Sequence, residues 1–84
     1  MRYYIDTIEQ VKGQEEGSIN EYGLRTIQPV NSTFEEVEAA YFTKLANVAN
    51  DIGEGKNHYY MSIKIVDSND KILEKKQLGV YVEI

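Results

Sequence analysis

The residues that could do chemistry are few. His58 is the only histidine and there is no cysteine, so any imidazole chemistry rests on one ring. Without cysteine there is no disulfide framework, thiolate zinc site or sulfur nucleophile. His58 sits among tyrosines, and its only acidic neighbour three or four residues away is Glu54, beyond a glycine-containing connector. The reading is an exposed strand residue beside that connector. The functional alternative is a general base served by a carboxylate from elsewhere in the fold.

Carboxylates are more numerous. Glu35, Glu36 and Glu38 could supply metal oxygens, but the alternating Asp/Asn pattern of a calcium loop with its central glycine is missing. Asp67-Ser68-Asn69-Asp70 is too short for such a loop and reads as a turn. Gly53-Glu54-Gly55-Lys56 resembles a fragment of a phosphate loop. It follows a helix instead of opening one, so its amides would not gather at a helix N-terminus. Ser18, Ser32, Ser62 and Ser68 lack the context of a strained nucleophile turn. No catalytic residue, metal ligand or cofactor follows from these patterns, and an enzyme is not expected.

Charge narrows the partners. The net charge is −5, of which residues 1–55 carry −6 and residues 56–84 carry +1. Phosphate backbones need clustered Lys and Arg, and Lys71, Lys75 and Lys76 form the single basic cluster. Direct nucleic-acid binding is not expected. No segment has the roughly 18 consecutive apolar residues of a membrane span, and the opening six residues lack a signal-peptide core. Cytoplasmic residence without membrane contact is the expectation.

The elements that would position these residues can be read from periodicity. Residues 2–12 read as a strand with Tyr3, Ile5 and Thr7 on one face. Gly13 to Ser18 is a turn, and residues 19–28 form a second strand ended by Pro29. Gly23 suggests a bulge or a close backbone approach within it. Ser32-Thr33-Phe34-Glu35 spells a capping box, with the serine hydroxyl as cap and Glu35 reaching back. Phe34, Val37, Tyr41, Leu45, Val48 and Ile52 then form one apolar stripe, predicting a helix from Thr33 to about Asp51. Ala39, Ala40, Ala46 and Ala49 would allow close approach to a sheet, and Gly53 would take the left-handed cap. A strand follows at His58–Val66, with Tyr59, Met61, Ile63 and Ile65 on one face and His58, Tyr60, Ser62 and Lys64 on the other. Residues 71–77 return as a fourth strand, and Leu78, Val80, Val82 and Ile84 alternate like a short fifth. The expected fold is a single α+β domain over residues 1–84, order β-β-α-β-β, one helix on one face of an antiparallel sheet.

Surfaces carry the remaining functional argument. Seven tyrosines exceed what one helix-on-sheet core can hide with every hydroxyl paired. If Tyr3 and Tyr59 face the core, Tyr4 and Tyr60 fall on the open face of the sheet. The tail around Tyr81 offers an alternating segment that could pair with a second chain, so a homodimer is a further expectation. Tyr4, Tyr60, Tyr81, Glu35, Glu36 and Glu38 are therefore the candidate protein-binding residues. With Asp6, Glu9, Glu15, Glu16 and Glu21, the three helix glutamates could imitate a phosphate array and occupy a basic groove.

The opening Met1-Arg2-Tyr3-Tyr4-Ile5-Asp6-Thr7-Ile8, the helix around Phe34–Tyr41 and the hairpin Met61–Ile72 resemble small uncharacterised proteins of bacterial phages and mobile elements. The likeness lies in order and texture, and the segment between residues 13 and 31 is longer than in that type. The resemblance implies an accessory role in a bacterial host's cytoplasm, binding and blocking a host protein such as a defence component. The alternatives are a homo-oligomeric assembly component of a phage particle, or a small ligand-binding domain or enzyme centred on His58.

Overall fold

The computed structural model describes residues 2–55 and 57–83; Lys56 of the phosphate-loop-like run, Ile84 of the alternating tail and Met1 lie outside them. The elements are β1 (Tyr3–Lys12), β2 (Ile19–Ile27), α1 (Phe34–Gly53), β3 (His58–Asp67) and β4 (Ile72–Gly79). The expected α+β order β-β-α-β-β is what forms. All neighbours pair antiparallel in the order β2-β1-β3-β4. Two hairpins thus meet along their first strands, and β2 and β4 are the free edges.

The helix lies on one face because both partners have one apolar side to hide. Val37, Tyr41, Leu45 and Val48 pack on Ile5, Met61, Ile63 and Ile65. Phe34 and Ile52 close the two ends of the stripe, with Tyr3 edge-on to Phe34 at 5.9 Å. Each fully buried aliphatic side chain contributes about 1.5–3 kcal/mol, so this layer dominates stability. Contacts of α1 run to β3, β1 and β4 and do not reach β2. Ala39, Ala40, Ala46 and Ala49 are exposed, so the small residues do not mediate the approach to the sheet as expected.

The helix ends differ from expectation by one or two residues. Two overlapping S/T-x-x-E patterns compete for the N-cap, and the second wins. Thr33 Oγ1 accepts from the Glu36 amide at 3.2 Å, and Glu36 Oε1 accepts from the Thr33 amide at 2.9 Å. Ser32 is occupied in a turn, its amide donating to the Pro29 carbonyl. At the other end Gly53 stays helical, and Gly55 takes the left-handed conformation at φ +68°.

Two irregularities decide what faces what. The β1–β2 register runs unbroken through Gly23, so no bulge forms there. A register shift falls instead between Gln10 and Val11, where β3 carries Tyr59 as an extra residue. Met61, Ile63 and Ile65 face the helix as expected, but His58 pairs with Val11 and turns to the helix side, leaving Tyr59 exposed. At the end of β4, Gly79 adopts φ +74°, and a Cβ there would collide with the Tyr59 carbonyl. Only glycine fits, and the chain then leaves β4 as a tail over the open face. No fifth strand forms among the described residues.

Candidate functional site

The bulge at Tyr59 delivers His58 to a carboxylate from elsewhere in the fold. Its Nε2 lies 2.7 Å from Glu9 Oε1, and its Nδ1 lies 3.5 Å from Asp51 Oδ2. Glu9 is only 1% exposed, and its second oxygen is 3.4 Å from Lys44 Nζ. Tyr22 is opposite Glu9 in the β1–β2 register, and its phenol is pushed up first by burial and then by the Glu9 charge and hydrogen bonding. Four elements therefore converge on one buried anion: β1, β2, α1 and β3. Both ring nitrogens of His58 face carboxylates, and the ring can donate to both only as imidazolium. The group ties the C-terminal half of the helix to the sheet. His58 is thus largely enclosed, not the exposed strand residue that the sequence suggested. Among the described residues no group of three or more His, Asp or Glu side chains is arranged to hold a metal ion.

The open face is organised by the tail. Gln10 uses its side-chain amide as a backbone would: Nε2 donates to the Val82 carbonyl at 2.7 Å, and Oε1 accepts from the Val82 amide at 2.9 Å. Nε2 also donates to Glu21 at 3.0 Å, and Gln10 is 0% exposed as a result. Tyr81 stacks edge-on against Tyr60 at 5.1 Å. Its phenol is pushed up chiefly by the hydrogen bond to Glu21. The tail therefore crosses β3 and β1 and reaches β2.

Beyond the tail the face is bare. A groove of about 450 Å³ runs between Asp6, Ile8, Ser62, Lys64, Ile72 and Lys75. Ile8 keeps 46% of its surface and Ile72 47%. Lys64 and Lys75 are opposed in register, and neither forms an ion pair among the described residues. Asp6, level with Lys64 on the next strand, is instead clamped by Arg25 through two 2.7 Å bonds.

The six candidate residues from the sequence do not form one surface. Tyr4 is on the open face as expected, but the Arg25 guanidinium covers its ring at 4.5 Å. Tyr60 shares that face and is buried beneath the tail. Tyr60 and Tyr81 come together as partners of each other, and the tail pairs with its own Gln10 instead of offering a free strand. Glu36 folds back as the cap partner, Glu35 stays on the first helical turn, and Glu38 turns toward Glu74. The wider acidic array is not assembled either, since Glu9 is buried on the helix side while Asp6 and Glu21 are engaged on the other. Sequence reasoning put Glu9 in the acidic surface array rather than in a buried pair with His58, and gave Gln10 no role. Extending the Tyr3, Ile5, Thr7 alternation by one step would have placed Glu9 on the buried face. Nothing local signals Gln10, because the tail that buries it comes from the far end of the chain.

No protein-family model, curated protein or solved structure matches this chain.

Proposed function

We propose that this chain is a protein-binding accessory module that holds an acidic, partly apolar segment of another protein across the open face of its sheet. The observation that carries the reading is the Lys64–Lys75 pair, two like charges directly opposed across β3 and β4 beside exposed Ile8 and Ile72. Opposed like charges weaken a sheet, and a bound carboxylate would relieve them. The apolar side chains flanking the lysines give an extended partner segment something to bury with its other residues. The resemblance to phage and mobile-element proteins supports a host protein as the target, and docking of this kind would block the occupied surface. The engagement of both His58 nitrogens supports a binding role over a catalytic one.

The test uses a synthetic extended peptide alternating glutamate and valine, with a lysine-for-glutamate version as comparison. Amide chemical shifts are expected to move at Ile8, Ser62, Lys64 and Lys75, to weaken with salt, and to vanish in the Lys64→Glu/Lys75→Glu variant. Equal binding of the lysine peptide, or shifts confined to other surfaces, would overturn the reading.

A further inference from the structure

The two free edges of the sheet are built differently. β4 carries Glu74, Lys75 and Lys76 in succession, and its pairing with β3 shifts register between Ile65 and Val66. Charges and bulges of this kind keep a sheet edge from pairing with another chain. β2 has no run of charges and no bulge, and its two charged residues, Glu21 and Arg25, are of opposite sign. Its nine residues, Ile19–Ile27, contain no lysine and no proline, and their register with β1 is continuous. The helix does not reach this strand, so Leu24 remains 58% exposed and Tyr22 43%.

From the self-complementarity of this strand we infer that β2 pairs antiparallel with β2 of a second copy, about a two-fold axis at Gly23, to give one eight-stranded sheet. Backbone parity comes first. The Gln28 amide donates to the Tyr3 carbonyl at 3.0 Å, and pairing partners alternate along an antiparallel ladder. Thr26, Leu24, Tyr22 and Asn20 therefore direct their backbone groups to β1. Arg25, Gly23 and Glu21, with Ile19 and Ile27 at the ends, present theirs outward. A two-fold axis at Gly23 matches Gly23 with itself, Glu21 with Arg25 of the second copy, and Ile19 with Ile27. All of these residues point outward, so every pair can exchange ladder hydrogen bonds.

The side chains agree with that register. On the open face each Glu21 meets an Arg25 of opposite charge, twice by symmetry. Both groups keep capacity: Arg25 bonds Asp6 through only two of its donors and stands 4.0 Å from Asp70, and Glu21, which accepts from Gln10 and Tyr81, has further lone pairs on its two oxygens. On the helix side Tyr22 meets Leu24 of the second copy in a non-hydrogen-bonded pair, the closer kind. Slipping the register by two residues removes the match. One slip sets Ile19 against Arg25 and Asn20 against Leu24; the other sets Glu21 against Ile27 and Gly23 against Arg25. The inference uses a different surface from the groove at Lys64 and Lys75, and the two stand or fall separately.

Charge reversal and cross-linking test it. Sedimentation over low micromolar to millimolar concentration is expected to show a monomer–dimer equilibrium for the wild type. Glu21→Arg and Arg25→Glu should each weaken self-association about tenfold or more, since two attractive pairs become repulsive. Mixing those two variants should restore dimer, because every reversed charge then faces its opposite. Gly23→Cys supplies a check independent of the charges, as a Cβ there meets only the Thr7 carbonyl at 3.6 Å. Hydrogen-bonded partners have Cα atoms about 5.5 Å apart, within disulfide range. With no other cysteine in the chain, mild oxidation should give a covalent dimer of Gly23→Cys but not of Gln14→Cys. A wild type that stays monomeric at millimolar concentration, or a Gly23→Cys chain that cross-links no faster than Gln14→Cys, overturns the inference. So does a mixture of the folded charge variants that shows no dimer.

Discussion

On the helix side of the sheet Met61, Ile63 and Ile65 are sealed beneath α1, whereas on the other side Ile8 and Ile72 stay half exposed within one strand of them. The first side is closed by apolar area with one charged knot, Glu9 and His58, at its margin. The second is closed only where the tail lies, through a side chain that imitates a peptide group. Dispersion and desolvation hold the first face, and directional hydrogen bonds hold the second. The difference explains why a small domain can leave half of one face free: its stability is already secured on the other side. It also says where each face should fail.

The largest expected effect is on the sealed face. His58→Ala strips the closest partner from a carboxylate that is almost wholly buried, and it should cost about 3 kcal/mol in urea unfolding. Replacing Glu9 and His58 together by leucine should cost clearly less, because the charges that then lose a partner, Lys44 and Asp51, are partly exposed to water and no buried charge is left uncompensated. If the double change were the worse one, the knot would be a source of net stability rather than a satisfied cost.

Next in size is the tail. Gln10→Ala removes both bonds to Val82 and the bond to Glu21, and should cost about 2 kcal/mol. Hydrogen exchange at residues 81–83 should lose its protection, while amides of β3 under the helix keep theirs. Unchanged exchange in the tail would mean that the Tyr60–Tyr81 contact alone holds it.

Tyr41→Phe should move stability the other way, by about 1 kcal/mol. The Tyr41 ring is fully buried, and its hydroxyl has no hydrogen-bond partner among the described residues. Burial, the main cause, and the Glu74 charge push its phenol up. Removing the hydroxyl takes away an unmet desolvation cost and keeps the ring. A higher urea midpoint checks this; a lower one would show that the hydroxyl is satisfied in solution.

Local signals carried most of the fold. The helix stripe from Phe34 to Ile52 and the hairpin turn at Asp67 announce themselves through neighbours in sequence. The cap was legible as a motif but ambiguous by one residue, because Ser32-x-x-Glu35 and Thr33-x-x-Glu36 overlap. The non-local features were not legible. Strand order depends on which hairpin strands meet, and alternation alone cannot choose β1 with β3. A single extra residue at Tyr59 moved His58 to the opposite face, and no propensity marks that position. Gln10 became a backbone mimic through a segment 72 residues away.

The smallest effect separates the two faces by pH. Glu38 on the helix and Glu74 on β4 share a hydrogen bond, which is the first cause raising the Glu38 carboxyl above its ordinary value of 4.5. Slight burial and the charges of Glu74 and Glu35 raise it further. An acid whose folded value is raised keeps its proton in the native state after the unfolded chain has lost it. Its stabilising contribution is therefore complete below 4.5 and disappears as pH rises through the folded value. At neutral pH the two carboxylates repel each other across the helix–sheet boundary. Glu74→Gln should accordingly raise the urea midpoint at about pH 7, and the gain should shrink as pH falls toward about 5. Glu35→Gln, which removes only the weakest of the contributing charges, should show less of this trend. The same pH step should change the protection factors of residues 81–83 little, since the two Gln10–Val82 bonds join groups that do not titrate. A pH-independent gain in Glu74→Gln would remove the shared proton as its cause and leave only a change in strand packing.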